Sequence, residues 1–128
     1  MLRDQFYKVI SVRKEGQSTV NVDISLNPSD PIFAGHFPSV PVVPGVCMLQ
    51  MIKETLEGEL KNSLQLSSAA GLKFLSVINP LEHRNLTIRV EYKPVSEDTF
   101  TAEGSINAGD KAFFKLVKAV YIRKHGKA

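Results

Sequence analysis

Gly35-His36-Phe37-Pro38 places an imidazole on a backbone stiffened by proline, and Pro41 and Pro44 follow before an apolar run opens at Gly45-Val46-Cys47. Histidine titrates near neutrality, so on a rigid loop it is suited to act as a general base. Proline suits the first turn of a helix, and the residues after Pro44-Gly45 continue in helical composition. The first N–H groups of that helix, near Gly45, Val46 and Cys47, have no intrahelical acceptor and carry the positive end of the helix dipole. Glycine lets a ligand approach them closely, and a carbonyl oxygen directed there is polarised. A base beside such an oxyanion-type site is the equipment for removing a proton alpha to a thioester, where enolate charge must be stabilised.

Within the helix, Gln50 is the first polar residue of the run, and Glu54 follows one turn later, about 6 Å along the axis on the same face. With Glu57 and Lys61 they form a polar stripe, the pattern of a buried helix that surfaces toward its C-terminal end. Such stripes ordinarily face water or a partner helix, and this competes with a chemical role for Glu54. Gln50 sits among apolar residues, where an unpaired amide is costly. Cys47, in the first turn, can be paired on paper with His36 as a nucleophile; a small buried apolar side chain is the simpler reading. His83 and His125 share no ligand spacing with His36, which argues against a metal.

These residues need elements to position them. Apolar and polar residues alternate over Gln5 to Arg13 and Ser18 to Leu26, around Glu15-Gly16-Gln17, which predicts a hairpin. Asn27 to Pro44 reads as a loop whose closely spaced prolines exclude a regular helix before Pro44. The helix is expected through Asn62. Four more strands are expected at Ala70 to Ile78, Asn85 to Val95, Thr99 to Asn107 and Lys111 to Lys124, joined by short turns. Two strands, one apolar helix and four strands give an α+β architecture, a curved antiparallel sheet around one central helix.

The chain has 128 residues, the length of a single domain spanning 1–128, with an ordinary charged fraction and a net charge of +3. Its single cysteine excludes an intrachain disulfide and paired-thiolate metal sites, and a reducing compartment fits. No run reaches the ~18 apolar residues of a membrane span, and the start lacks a signal-peptide core, so a cytoplasmic protein is expected. The modest charge is weak support for nucleic acid. Lys115, Lys118, Arg123, Lys124 and Lys127 suit steering of an acidic partner, although lysines on an edge strand also serve simply to block aggregation.

His36-Phe37-Pro38, Pro41, Pro44-Gly45-Val46 and the helix that follows resemble the active-site segment of the 3-hydroxyacyl-acyl carrier protein dehydratases, which have the hotdog fold. The stretch GLKFLSVINPLEHRNLTIRVEY resembles the segment following that helix, so the likeness extends over nearly the whole chain. The resemblance implies a hydro-lyase of fatty acid or related acyl-chain synthesis that converts a 3-hydroxyacyl thioester into a trans-2-enoyl thioester. It implies no cofactor, a substrate carried on the phosphopantetheine of an acyl carrier protein, and a homodimer at least, with a trimer of dimers as a larger assembly. His36 carries over as the base for the C2 proton. Gly45, Val46 and Cys47 carry over as the carbonyl-polarising backbone, with Phe37 beside them as substrate-binding.

The family's helix carboxylate belongs fourteen positions after the histidine, and 36 plus 14 is Gln50. The family's helix often reads Glu-x-x-x-Gln there, and this one reads Gln50-Met51-Ile52-Lys53-Glu54, so the pair is exchanged. An amide holds a hydroxyl but cannot release a proton at neutral pH. Three consequences stay open: Glu54 substitutes through a shifted substrate or a bridging water, His36 acts alone with Gln50 orienting the hydroxyl, or the site is weakened. Two other functions follow from the same fold, an acyl-thioester binding subunit that has lost the acid and a thioesterase relying on Glu54.

Overall fold

The computed structural model describes residues 1–35 and 40–124. His36, Phe37, His125 and Lys127 lie outside the described residues. Six strands form one antiparallel sheet in the order β1-β2-β4-β5-β6-β3: β1 Tyr7–Glu15, β2 Thr19–Leu26, β3 Leu64–Phe74, β4 Asn85–Pro94, β5 Thr99–Ala108 and β6 Lys111–Arg123. Two helices, α1 Pro31–Gly35 and α2 Gly45–Leu60, separate β2 from β3. This is the hotdog arrangement, a single long helix lying against an antiparallel sheet.

The hairpin forms as expected, with Tyr7 opposite Leu26 and Glu15 opposite Thr19. Gly16 supplies the left-handed turn residue at φ 62°. Alternation on β4 sends Leu86, Ile88 and Val90 to the covered face and Arg89 and Glu91 to the other. Met48, Met51, Ile52 and Leu56 of α2 close that core. The helix approaches β5 at Gly104, where a Cβ would stand 2.9 Å from Cγ2 of Ile52, so only a glycine permits this packing distance. Burial of this apolar face is what holds the helix against the sheet.

Three expectations are corrected. A short helix, α1, interrupts the segment between Asn27 and Pro44: Asp30 Oδ1 accepts from the Ile32 N–H at 2.9 Å and Pro31 takes the first helical position, a start signal that the spacing of the later prolines obscured. The third strand runs Leu64–Phe74, six residues earlier at its start than Ala70. Its Ser-Ser-Ala-Ala-Gly centre has weak strand propensity, and pairing with β6, from Leu64 opposite Arg123 to Phe74 opposite Phe114, sets its bounds instead. Helix α2 ends two residues before Asn62, at a left-handed Lys61 cap.

Candidate active site

Helix α2 begins where Pro44-Gly45 led it to be expected. Pro44 is its N-cap residue in extended conformation, with no side-chain capping bond. No described residue accepts from the Gly45 or Val46 N–H. The Cys47 N–H, in contrast, donates to the Pro44 carbonyl at 3.0 Å, which corrects its place among the free donors. The Cys47 side chain is buried, and burial raises its thiol pKa, so it behaves as a core residue. A side chain at Gly45 would meet the Phe74 ring: a Cβ there would stand 2.8 Å from its Cε1. The start of α2 is thus two N–H groups without an acceptor among the described residues, beside an aromatic ring from the end of β3.

The two ends of the segment containing His36 are held on both sides. Phe33 of α1 stacks on Phe6, with ring centroids 4.9 Å apart, and the Val43 N–H donates to the Ile78 carbonyl at 2.9 Å.

A groove of about 460 Å³ runs along α2, lined on the helix side by Val46, Leu49, Gln50 and Lys53. Leu66, Tyr121 and Lys124 contribute to its other wall. Val46 and Gln50 stand four residues apart on one helix face, so the start of α2 and the Gln50 amide border the same groove. Val46 is 77% exposed there, while the Tyr121 phenol lies buried in the floor, its hydroxyl without a partner among the described residues. A larger hollow of about 510 Å³ spans Glu91, Lys93, Glu103 and Lys118 on the sheet but contains none of the expected site residues.

Glu54 does not face this groove. It is 2% exposed, and its carboxylate accepts four hydrogen bonds: Oε2 from the Leu2 N–H at 2.8 Å and from Gln50 Nε2 at 2.8 Å, Oε1 from the Arg3 N–H at 2.9 Å and from the Tyr7 hydroxyl at 3.0 Å. Burial alone would raise its pKa, but these donors outweigh it and hold the carboxyl below its usual range. Burial and the adjoining Glu54 charge in turn hold the Tyr7 phenol well above its usual range. The polar stripe expected to surface along α2 is therefore broken at Glu54, which is a buried anchor for the N-terminal turn.

That turn was missed by sequence reasoning. Phe6 N–H donates to the Leu2 carbonyl at 2.7 Å, Asp4 sits at φ 71°, and the Asn27 side chain donates to the Gln5 carbonyl at 3.0 Å. Backbone N–H donors leave no trace in residue type, so only the tyrosine hydroxyl of this cluster was available to pattern reading. Among the described residues no group of three or more histidine, cysteine or acidic side chains is placed to hold a metal ion. No helix among them is long and apolar enough to cross a membrane.

An antiparallel sheet with one long helix whose N-terminus abuts a helix-side groove defines a hotdog-fold protein. The chain belongs to the ApeI-like dehydratase family, whose profile (ApeI dehydratase) matches residues 12–111. It is similar to the 3-hydroxyacyl-[acyl-carrier-protein] dehydratase FabZ of Caulobacter vibrioides (strain NA1000 / CB15N), 27% identical over 103 residues that cover 74% of this chain and 64% of the relative. The chain thus spans slightly less than two thirds of that relative's length. The FabZ of Oceanobacillus iheyensis is 38% identical over 48 residues, covering 38% of this chain and 33% of that one. Among solved structures, the dehydratase heterocomplex ApeI:P from Xenorhabdus doucetiae aligns with TM-score 0.68 at 20% identity, covering 88% of this chain and 96% of that chain. A hypothetical thioesterase with coenzyme A from Streptococcus pneumoniae aligns with TM-score 0.64 at 12% identity, covering 95% and 88%. At these identities the structural likeness establishes the fold.

Proposed function

We propose that the protein is a hydro-lyase that eliminates water from 3-hydroxyacyl thioesters carried by an acyl carrier protein. The observation that carries this reading is the groove along α2: Val46, whose N–H has no acceptor among the described residues, stands one turn from Gln50 on the same helix face, with the Gly45 N–H next to it in the chain. The thioester oxygen is held at those N–H groups, His36 removes the C2 proton, and Gln50 holds the C3 hydroxyl as it departs. His36 returns its proton to that hydroxyl, since the amide has none to give. Glu54, with four donors on its two oxygens, is a positioning group in this scheme and has no part in proton transfer. The same commitment counts against a thioesterase reading that needs Glu54 to activate water.

The exposed edge of β3 supports assembly with a second copy or a homologue. Leu72 and Phe74 stand 43% and 56% exposed on a strand with one neighbour among the described residues. A second reading is favoured by the same Glu54 geometry: with no carboxylate in the groove, the chain serves as an acyl-thioester binding subunit beside a homologue that supplies the acid. Incubation of the purified protein with 3-hydroxyacyl and enoyl carrier-protein thioesters separates the readings. Interconversion supports the lyase, and loss of that activity in His36→Ala supports the base. Binding without turnover leaves the subunit reading, and release of free thiol overturns both in favour of a thioesterase.

A further inference from the structure

The groove along α2 changes character from one end to the other. Val46 and Leu49 make its wall apolar near the helix start, whereas beyond Gln50 the lining is Lys53, Gln65 and Lys124. Val46 and Lys53 lie on one stripe of the helix, about 10 Å apart along its axis. Lys124 belongs to the same far end: its N–H donates to the Ser63 carbonyl at 2.8 Å, in the connection that follows α2. Two ammonium groups from separate elements therefore border one end of the groove. The Lys53 side chain is only 23% exposed, yet its ion-pair partner, Glu57, stands 3.9 Å away. Glu57 accepts from the Leu64 N–H at 2.8 Å through the same oxygen, so it is tied to the end of the helix and does not close on the ammonium. Lys124 makes no ion pair among the described residues. Tyr121 lines the groove too, and its buried hydroxyl is a further donor without an acceptor among the described residues.

We infer that the far end of the groove is a carboxylate subsite, formed by Lys53 and Lys124, which takes acyl thioesters whose acyl chain itself ends in a carboxylate. A partly covered ammonium with no close carboxylate favours an incoming anion, because a charge-assisted hydrogen bond replaces the water it has lost. A chain ending in a methyl group would instead strip water from both lysines and return nothing. Length selects the ligand as well. An extended chain advances roughly 1.3 Å per bond, as a Cα spacing of about 3.8 Å over three bonds shows, so the span from Val46 to Lys53 corresponds to about eight bonds. A medium-length dicarboxylic acid held as its monothioester meets both ends. The phosphate of an extended pantetheine arm lies about 16 Å from the sulfur on the same measure, beyond this span. Glu57 removes part of the positive charge, and the second lysine restores the excess that an anion requires.

This inference rests on the acyl-thioester reading of the groove, which sets one end of the ligand at Val46, but its test reads binding and needs no turnover. The intact protein is titrated at low salt with three pantetheine thioesters of equal length, whose acyl chains end in a carboxylate, in its methyl ester and in a methyl group. The wild type is expected to bind the carboxylate about 10-fold more tightly than the methyl ester. That ratio shrinks as salt is raised to about 0.5 M, where the screening length is only a few ångströms. Lys53→Met and Lys124→Met each lower it by about 3-fold or more, and the double variant brings it close to one. Equal binding of carboxylate and ester by the wild type, or an unchanged ratio in the folded double variant, overturns the inference while the thioester reading stands. Absence of binding by all three thioesters overturns both. A phosphopantetheine thioester of the methyl-ended chain examines the other source of an anion: a gain in affinity from its phosphate that the double variant loses assigns the lysines to the carrier's arm and overturns the inference. Methionine keeps the apolar stem of each lysine, and if Lys53→Met does not fold, the exposed Lys124 decides the question through Lys124→Met alone.

Discussion

Gln50 and Glu54 form one hydrogen-bonded unit within a single turn of α2, with the amide nitrogen 2.8 Å from the carboxylate. Three further donors complete the Glu54 shell, two of them backbone N–H groups of Leu2 and Arg3. A buried carboxylate with this many donors is a structural keystone for the turn it grips. Glu54→Gln leaves an amide whose NH2 group confronts one of those N–H donors, and the expected loss of unfolding free energy is about 2–4 kcal/mol. Urea denaturation followed by circular dichroism measures it. A change below about 0.5 kcal/mol, the scale of an ordinary surface substitution, would show that the four bonds are not made in solution.

The acid limb of the stability profile follows from the same group. An unfolded glutamate titrates near ~4.3, and the folded Glu54 value lies below it. Its stabilisation is therefore fully present above the unfolded pKa and is lost as pH falls through the folded value. Asp23, held well below the usual carboxylate range by Arg13, Thr87 and Ser11, adds to the same limb, as do Glu15 and Glu59. The difference between wild type and Glu54→Gln isolates the Glu54 share. That difference is expected to be constant from pH 6 to 8 and to shrink as the solution is made acid, when measured by urea midpoints. A difference that grows toward low pH reverses the sign and overturns the assignment.

The Tyr121 phenol is fully buried and its hydroxyl has no partner among the described residues. An unpaired buried hydroxyl costs about 1–3 kcal/mol of desolvation. Tyr121→Phe removes that cost and retains the ring, so thermal stability is expected to be unchanged or raised by a few degrees. A fall of similar size in calorimetry would reveal a bonded hydroxyl.

The sheet and the helix were legible in the sequence because alternation and apolar runs are properties of side chains. The hairpin around Gly16, the apolar half of α2 and strands β4 to β6 follow from that pattern. β3 was placed six residues late because its Ser-Ser-Ala-Ala-Gly centre has little preference of its own and is assigned by partnership with β6. Helix α1 was obscured because one turn capped by Asp30 is too short to establish a period. The open helix start was legible from Pro44-Gly45, whereas the Cys47 N–H turned back to the Pro44 carbonyl at a level of detail that residue type does not carry. The commitment of Glu54 was hidden for a related reason: two of its four donors are backbone groups fifty or more residues away.

Crowding at Gly45 separates stability from activity. A methyl group there meets the Phe74 ring at 2.8 Å, but Phe74 is 56% exposed and its ring can swing toward solvent. Gly45→Ala is therefore expected to change stability by less than about 1 kcal/mol, with the gain in helix propensity offsetting the contact. The displaced ring and the methyl obstruct the Gly45 and Val46 N–H groups, and dehydration is expected to fall by about 10-fold or more in kcat/KM. Phe74→Ala in the same background relieves part of the loss. Full activity in Gly45→Ala would remove the helix start from the site.

Gln50→Glu tests whether the groove lacks only a proton. The introduced carboxyl would lie beside the Glu54 carboxylate, and two like charges at that distance cannot both ionise without penalty. Glu54 is held ionised by Leu2, Arg3 and Tyr7, so the rise in pKa falls on the new group. A carboxyl that retains its proton near neutrality is what a departing hydroxyl requires, and general acid catalysis contributes about 10²–10⁴ in rate. Gln50→Glu is expected to raise the dehydration rate on 3-hydroxyacyl thioesters by about 10-fold to 100-fold, with a new ionisation in the pH–rate profile above the usual carboxyl range. The same substitution in a Glu54→Gln background has no adjacent anion, so its ionisation moves back toward ordinary acidity. A rate unchanged by Gln50→Glu, in a protein that still binds the thioester, would show that proton delivery to the departing hydroxyl is not what limits the reaction.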